Sequence, residues 1–185
     1  MLLLVGMTCS GKDTIKKELL KKGMDGVVTY TTRPPRPKEI DGMSYHFIAV
    51  DEFLQKKMQG FFAETTQYKV SSVETWYYGT AFEDLSDNKV IIVNPDGLRN
   101  LNKINSLNPI SFYIMADDLT LWRRLSFRGD DYNEAKRRVD DDKLRFENIY
   151  DDVNFCFRND IDKITPSILA DLILTTYKKV IKIMS

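Results

Sequence analysis

The sequence predicts an α/β protein built around a doubly wound parallel sheet. Three observations lead there. Short apolar runs of the kind buried between helix layers recur along the chain, and helix-period segments alternate with them. The first of these runs, Met1–Val5, passes through a glycine-bounded loop straight into a helical segment. At 185 residues, one compact domain with a full α/β core is the expectation. Within it, residues 1–30, 82–116 and 149–185 read as core, 31–81 as an inserted lobe and 117–148 as a helical segment set apart by its charge.

Strands are expected at Leu2–Val5, Gly26–Thr29, His46–Ile48, Val90–Val93, Ile110–Met115 and Asn154–Arg158. Helices are expected at Lys12–Lys22, Val50–Gly60, Leu119–Phe127, Tyr132–Tyr150 and Thr165–Met184. The last has a clear start signal, with Thr165 as N-cap and Pro166 in the first helical position. No repeat or low-complexity segment interrupts the series.

Composition excludes several function classes. Hydrophobic residues make up 43% and charged residues 29%, an ordinary globular balance. Twenty-seven basic residues against 27 acidic give zero net charge, which argues against a general nucleic-acid coat. Apolar runs of about five residues fall far short of the roughly 20 that span a bilayer. The glycine-bounded loop starts at residue 6, which leaves no room for a signal peptide. Cys9 and Cys156 are too few for a disulfide framework or a zinc site, so a reducing cytoplasm is the expected compartment. The one histidine, His46, reads as structural.

The loop itself, Gly6-Met7-Thr8-Cys9-Ser10-Gly11-Lys12-Asp13-Thr14, has the layout of a phosphate-binding P-loop. Its backbone N–H groups would wrap a phosphate, and the following helix adds its positive dipole end. Gly6 and Gly11 fit positions where a side chain would block the wrap or the backbone needs positive φ. Lys12 would reach the β- and γ-phosphates of a nucleotide. Asp13 breaks the pattern, because a Ser or Thr hydroxyl for Mg²⁺ is expected there.

Thr29-Tyr30-Thr31-Thr32-Arg33-Pro34-Pro35-Arg36 is a second phosphate signal. Two guanidinium groups on a proline-stiffened loop suit bidentate contact with phosphate oxygens. The charged stretch 117–148 is open to two readings: a solvated helical pair laced by i,i+4 ion pairs, or a mobile lid carrying arginines over a phosphate chain.

Thr31-Thr32-Arg33-Pro34-Pro35-Arg36-Pro37, Asp41-Gly42-x-x-Tyr45-His46-Phe47 and Tyr77-Tyr78-Gly79-Thr80, in this order behind the P-loop, resemble the guanylate kinase family of P-loop nucleoside monophosphate kinases. The resemblance runs to about Asn159. It implies a P-loop kinase core with an inserted NMP-binding lobe and a helical lid, and transfer of phosphate from ATP to GMP, and to dGMP, with Mg²⁺. It implies that Arg33, Arg36, Tyr45 and Tyr78 hold the GMP phosphate. Glu64 would accept from guanine N1–H and the exocyclic amine, Thr80 would donate to guanine O6, and Asp96 would touch the amine. ATP would be bound by Gly6, Thr8, Cys9, Ser10, Gly11, Lys12, Asp13 and Thr14, with Asn159 near the adenine. Leu125-x-x-Arg128-Gly129 resembles the family's lid motif, so Lys12, Arg128, Arg138 and Arg124 are the expected catalytic cations. The partners implied are small nucleotides, with no nucleic acid and no membrane, and the chain is expected as a monomer. Phosphoryl transfer needs in-line positioning and positive charge more than covalent help, which this set would supply.

Two positions depart from the family. Asp13 replaces the P-loop hydroxyl, and Asn94 falls where the family has an aspartate facing the loop. The expectation is a compensating exchange, in which Asp13 and Asn94 form the Mg²⁺ site; the alternatives are that Asp13 only caps its helix or that catalysis is damaged. The Asn94-Pro95-Asp96-Gly97 segment is expected as a shortened turn, and Lys69–Thr75 as a lobe extension. Rival functions are a kinase for another nucleoside monophosphate and a non-catalytic binding module of the same shape.

Overall fold

The computed structural model describes residues 1–36, 39–70, 74–104, 106–129, 131–160 and 164–184. Its first sheet is parallel throughout, with β1 (Leu2–Val5), β2 (Asp25–Gly26), β7 (Lys89–Ile92), β8 (Ile110–Met115) and β9 (Phe155–Arg158) in the order β2-β7-β1-β8-β9. Its second sheet has the order β4-β3-β6-β5, from β3 (Tyr30–Thr31), β4 (His46–Phe47), β5 (Phe62–Lys69) and β6 (Thr75–Ala81). β3 and β4 pair parallel, while β6 runs antiparallel to both β3 and β5.

The five-residue apolar run at the start is explained by burial on both faces. Every residue of Met1–Val5 is fully buried. Because side chains alternate along a strand, Leu2 and Leu4 enter one layer with Ile15, Leu19, Phe112 and Ile173. Leu3 and Val5 enter the other with Ile91, Leu98, Leu101 and Phe146. The first layer is roofed by α1 (Lys12–Lys21) and α6 (Pro166–Met184), the second by α3 (Pro95–Asn102). A continuous hydrophobic strand is what two such roofs require. α6 starts as expected, with the Thr165 hydroxyl accepting from Ile168 N–H at 3.3 Å.

The structure departs from expectation in three places. β3, β5 and β6 were not foreseen as strands. On β5 and β6 the buried face includes Glu64, Thr66 and Thr80, so the apolar alternation that signals a strand is missing. Asn94–Gly97 is no shortened turn. Asn94 is an N-cap and Pro95 the first residue of α3, an arrangement that suits proline's missing N–H. The helix expected over Tyr132–Tyr150 is α5 (Tyr132–Arg145); Asn148, at φ 61°, leads into a short 3-10 turn at Ile149–Asp151. In the Lys69–Thr75 stretch, residues 71–73 lie outside the described residues, and the flanking β5 and β6 pair from Phe62↔Ala81 to Lys69↔Thr75. His46 is structural as expected, stacked on Tyr30 with ring centroids 4.6 Å apart.

Phe112 is fully buried at the centre of β8 and stacks on Phe155 with centroids 5.3 Å apart. Phe112→Ala is expected to cost about 3–5 kcal/mol in urea unfolding, against well under 1 kcal/mol for the exposed Phe127→Ala.

Candidate functional site

Outside the carboxyl ends of β1 and β7, where open α/β sheets place their ligands, lies a cavity of about 220 Å³. Gly6, Thr8 and Lys12 line it from the first loop. β5 and β6 supply Glu64, Thr66, Tyr68, Trp76, Tyr78 and Thr80, the segment between β3 and β4 supplies Arg36 and Tyr45, and Asn94 and Gly97 also line it. Arg137, Arg138, Asp142 and Phe146 reach in from the α5 side. The volume is below the roughly 300–1,000 Å³ of most ligand clefts.

The loop is held rigidly. Cys9 is in the left-handed region at φ 61° and Gly11 at φ 99°. A Cβ on Gly6 would lie 2.5 Å from the Ile114 carbonyl, and one on Gly11 would lie 2.1 Å from Asn159 Nδ2. Asn159 donates from Nδ2 to Ser10 O at 2.7 Å. Arg124, on α4 (Asp118–Arg128), donates to Cys9 O and Ser10 O at 3.2 Å each and to Asn159 O at 2.5 Å. Arg124 was expected as a catalytic cation; its guanidinium is instead bonded to loop carbonyls. Asn159, expected near an adenine, here braces the same loop.

Lys12 turns inward, donating from Nζ to Gly6 O at 2.6 Å and Met7 O at 2.8 Å. Desolvation lowers its pKa, opposed by Asp13 and Asp142. Asp13 is exposed in the first turn of α1, as is Thr14. The Asn94 side chain is engaged at both ends: Oδ1 accepts from Gly97 N–H at 2.7 Å, and Nδ2 donates to Thr66 Oγ1 at 3.1 Å. The expectation of Asn94 as half of a metal site meets a different duty, capping α3. No group of three potential metal-ligating acidic, histidine or cysteine side chains occurs among the described residues.

Arg33 and Arg36 diverge. Arg33 is buried, with Nη2 bonded to both Glu39 carboxylate oxygens at 2.9 Å and Nη1 to Pro34 O at 2.7 Å, and it lies over the Tyr45 ring at 5.4 Å. Glu39 also accepts from Arg36 N–H at 2.7 Å. Arg33 therefore staples the loop and does not line the cavity, whereas Arg36 does. Burial, then Arg138, then Arg33 push the Arg36 pKa below the usual arginine value. Two cations thus meet at the cavity from opposite elements, an arrangement that an anion would relieve. Tyr45 and Tyr78 pack edge-on at 6.2 Å nearby, and burial pushes the Tyr45 hydroxyl up to about 12.

Glu64 stands out among the carboxylates. It is buried, accepts from Thr80 Oγ1 at 2.7 Å through Oε1, and leaves Oε2 with no hydrogen-bond partner. Desolvation pushes its pKa up to about 7, against the lowering effect of the Thr80 bond. Asp96, expected beside Glu64, sits instead in the first turn of α3 and pairs with Arg145 at 2.8 Å and Arg99 at 3.6 Å. Its carboxylate is drawn away from the cavity by those two guanidinium groups.

On α5, Glu134 binds Arg137 at 2.8 Å and Arg138 at 2.7 Å; those bonds, Arg137's foremost, hold its carboxyl down at about 2. Arg138 reaches the cavity as expected, while Arg128 is exposed at the end of α4 and close enough to lower the Lys12 pKa. The i,i+3 and i,i+4 pairs of the solvated-helix reading are present, and two of the paired arginines line the cavity. Sequence reasoning missed Thr66, Tyr68, Trp76, Arg137, Asp142 and Phe146. The spacing Arg138, Asp142, Arg145, Phe146 along one helix face was the available signal for part of that set.

The guanylate kinase family model matches residues 1–173. A guanylate kinase of Paraburkholderia xenovorans is 35% identical over 148 residues, covering 74% of this chain and 63% of the relative. One of Maricaulis maris is 36% identical over 134 residues, covering 68% and 59%. The chain spans about three fifths of the length of these curated relatives. The crystal structure of guanylate kinase from Anaplasma phagocytophilum superimposes with a TM-score of 0.73 at 21% identity, over 97% of this chain and 84% of that one, which shows the shared fold. No described helix is long and apolar enough to cross a membrane.

A carboxyl with a raised folded-state pKa binds its proton more tightly in the folded chain than in the unfolded one. The stability contributed by Glu64 is therefore full below about pH 4.5 and lost as pH rises through about 7. Relative to wild type, Glu64→Gln is expected to gain about 1–3 kcal/mol between pH 4.5 and pH 8, read from urea unfolding of the ligand-free protein at each pH. A stability difference that stays flat across this range overturns the assignment.

Proposed function

The chain belongs to the guanylate kinase family, and on that premise we propose that it transfers the γ-phosphoryl group of ATP to GMP, and to dGMP, yielding ADP and the nucleoside diphosphate. The observation that carries this reading is the buried Glu64 carboxylate in the cavity, with Oε2 lacking a partner and Thr80 fixing Oε1. Guanine presents two adjacent donors, N1–H and the exocyclic amine, to a carboxylate. Adenine presents an acceptor at N1 and would leave the carboxylate buried and unpaired, a mismatch that discriminates strongly.

On this reading the second sheet and its loops, residues 31–81, form the acceptor lobe, and α4 with α5, within 117–148, form the lid. Arg36, Tyr45 and Tyr78 hold the acceptor phosphate, and Arg33 acts through Glu39 to hold the Arg36 loop in place. Arg138 meets the transferring group from the lid side, with Arg128 at the lid's other helix. Thr80 donates to Glu64 in the ligand-free protein; its hydroxyl can rotate to guanine O6 once the base supplies Glu64 with two donors.

The Gly6–Thr14 loop takes the donor phosphates with its backbone N–H groups and the N-terminus of α1. Lys12 leaves the Gly6 and Met7 carbonyls to meet the β- and γ-phosphates. For Mg²⁺, the donor set fits one carboxylate. Asp13, exposed at the first turn of α1 beside Lys12, would hold the ion with substrate phosphates and water, as magnesium commonly requires. Asn94 does not fit, since both ends of its amide are engaged. When bound, the ion would neutralise phosphate charge. The protein's own cations, Lys12, Arg36 and Arg138, position the two phosphate chains in line, and lid closure excludes water.

The test is a coupled assay of ADP release with ATP, Mg²⁺ and GMP, dGMP, AMP, CMP or dTMP. Activity is expected with GMP and dGMP and to fall at least 100-fold with AMP. Turnover only on a non-guanine substrate, or ATP binding without transfer to any of them, overturns the reading. Because the guanine contact needs ionised Glu64, GMP affinity measured by calorimetry is expected to rise between pH 6 and 8, through the pKa of about 7. Glu64→Gln should weaken GMP binding and flatten that dependence.

A further inference from the structure

The phosphate loop already binds an anion, and that anion belongs to the protein. Thr8 N–H donates to Asp142 Oδ2 at 2.5 Å across 134 positions of sequence. Asp142 lies on α5 and is buried, with 8% of its surface exposed. It stands within electrostatic reach of Lys12, and also of Tyr68 on β5 and Tyr113 on β8. A loop of N–H groups, a helix N-terminus and a lysine form a site for phosphate oxygens, and the Asp142 carboxylate takes one of those donors, the Thr8 N–H.

The placement is supported along the helix. Three residues beyond Asp142, Arg145 pairs with Asp96 of α3 at 2.8 Å and lies 3.9 Å over the Tyr68 ring. One turn before it, Arg138 reaches the cavity. A single helix face therefore touches the loop through Asp142, the first sheet's layer through Arg145, and the second sheet through Tyr68.

We propose that Asp142 is a built-in competitor for the donor phosphates: it latches α5 onto the empty loop and must leave when a phosphate chain enters. Phosphate and carboxylate cannot share the Thr8 N–H, and their like charges repel at that distance. Entry of the donor thereby unlatches α5, the helix that carries Arg137 and Arg138. The protein whose loop is latched is not competent to bind, so apparent donor affinity falls by the latched fraction. This inference rests on reading Gly6–Thr14 as the donor-phosphate loop, and is independent of which base the acceptor carries.

The test uses the full chain and inorganic tripolyphosphate, which has no base. By calorimetry, Asp142→Asn is expected to bind it roughly tenfold more tightly than wild type, the scale of a hydrogen bond to a charged group. Asp140→Asn, an equal charge change at an exposed position paired to Lys136, is expected to change affinity less than about twofold, the scale of an exposed pair. Equal affinity of wild type and Asp142→Asn, or equal tightening by Asp140→Asn, overturns the latch alone. Binding by neither wild type nor Asp142→Asn overturns the donor-loop reading together with it. A second readout needs no variant: tripolyphosphate should raise amide hydrogen exchange across Tyr132–Arg145 in wild type, and unchanged or slower exchange counts against the latch.

Discussion

The constraint on which the rest depends is the turn from β1 into α1. Six residues must leave a fully buried strand, curl their N–H groups around an anion site, and start a helix. Gly6 and Gly11 permit this because a side chain at either would collide with the Ile114 carbonyl or the Asn159 amide. What fixes the curl is the satisfaction of its outward carbonyls. Arg124 and Asn159 supply donors to Cys9 and Ser10, and Lys12 supplies them to Gly6 and Met7. A loop whose carbonyls are bonded to Arg124, Asn159 and Lys12 is ordered before a ligand arrives, so the cost of ordering that site falls on folding instead of on binding.

The cavity's electrostatics follow from net charge and proximity together. The chain as a whole is neutral, yet Lys12, Arg36, Arg137 and Arg138 all line one cavity. Such a cluster needs local compensation, and the ion pairs show where it comes from: Glu134 and Asp141 serve Arg137, and Glu134 serves Arg138. Each pairing also restrains a side chain that would otherwise lose several rotamers on binding. Glu64 is the opposite case, a carboxylate in the same cavity with no cation bonded to it. Burial raises its pKa, so a ligand that brings donors to it would favour the ionised form.

Much of this was legible in the sequence, and the limits have a physical cause. The parallel core could be read because Met1–Val5 is buried on both faces and Ile110–Met115 nearly so, so that both runs are almost wholly apolar. The phosphate loop could be read because its backbone path demands glycine. β5 and β6 could not, since the face they bury carries Glu64, Thr66 and Thr80 toward a cavity; a functional lining erases the apolar alternation that marks a strand. α3 was hidden for a related reason: Pro95 and Gly97 resemble a turn unless Asn94 is recognised as the cap that makes proline the natural first helical residue. Residue order revealed which arginines exist but not which are occupied. Arg33 and Arg36 look alike in sequence, and only the position of Glu39 separates the staple from the cavity-facing cation.

The pairing of Asp13 with Asn94 is where the structure most changes the argument. A charge exchange requires both side chains to be available to one ion. Asn94 is bonded at both ends, to Gly97 and Thr66, and an amide released from those bonds would leave the helix start and Thr66 unsatisfied. Asp13 is exposed at the N-terminus of α1, where a carboxylate also favours the helix dipole. The two residues therefore answer separate demands, and the amide at position 94 serves the start of α3 and Thr66. The carboxylate that does meet the phosphate loop in the ligand-free protein comes from a third place, Asp142. Where the loop's own sequence puts an acid beside the lysine, the fold puts another against its backbone, so the negative charge around Lys12 is set by α5 as well as by the motif.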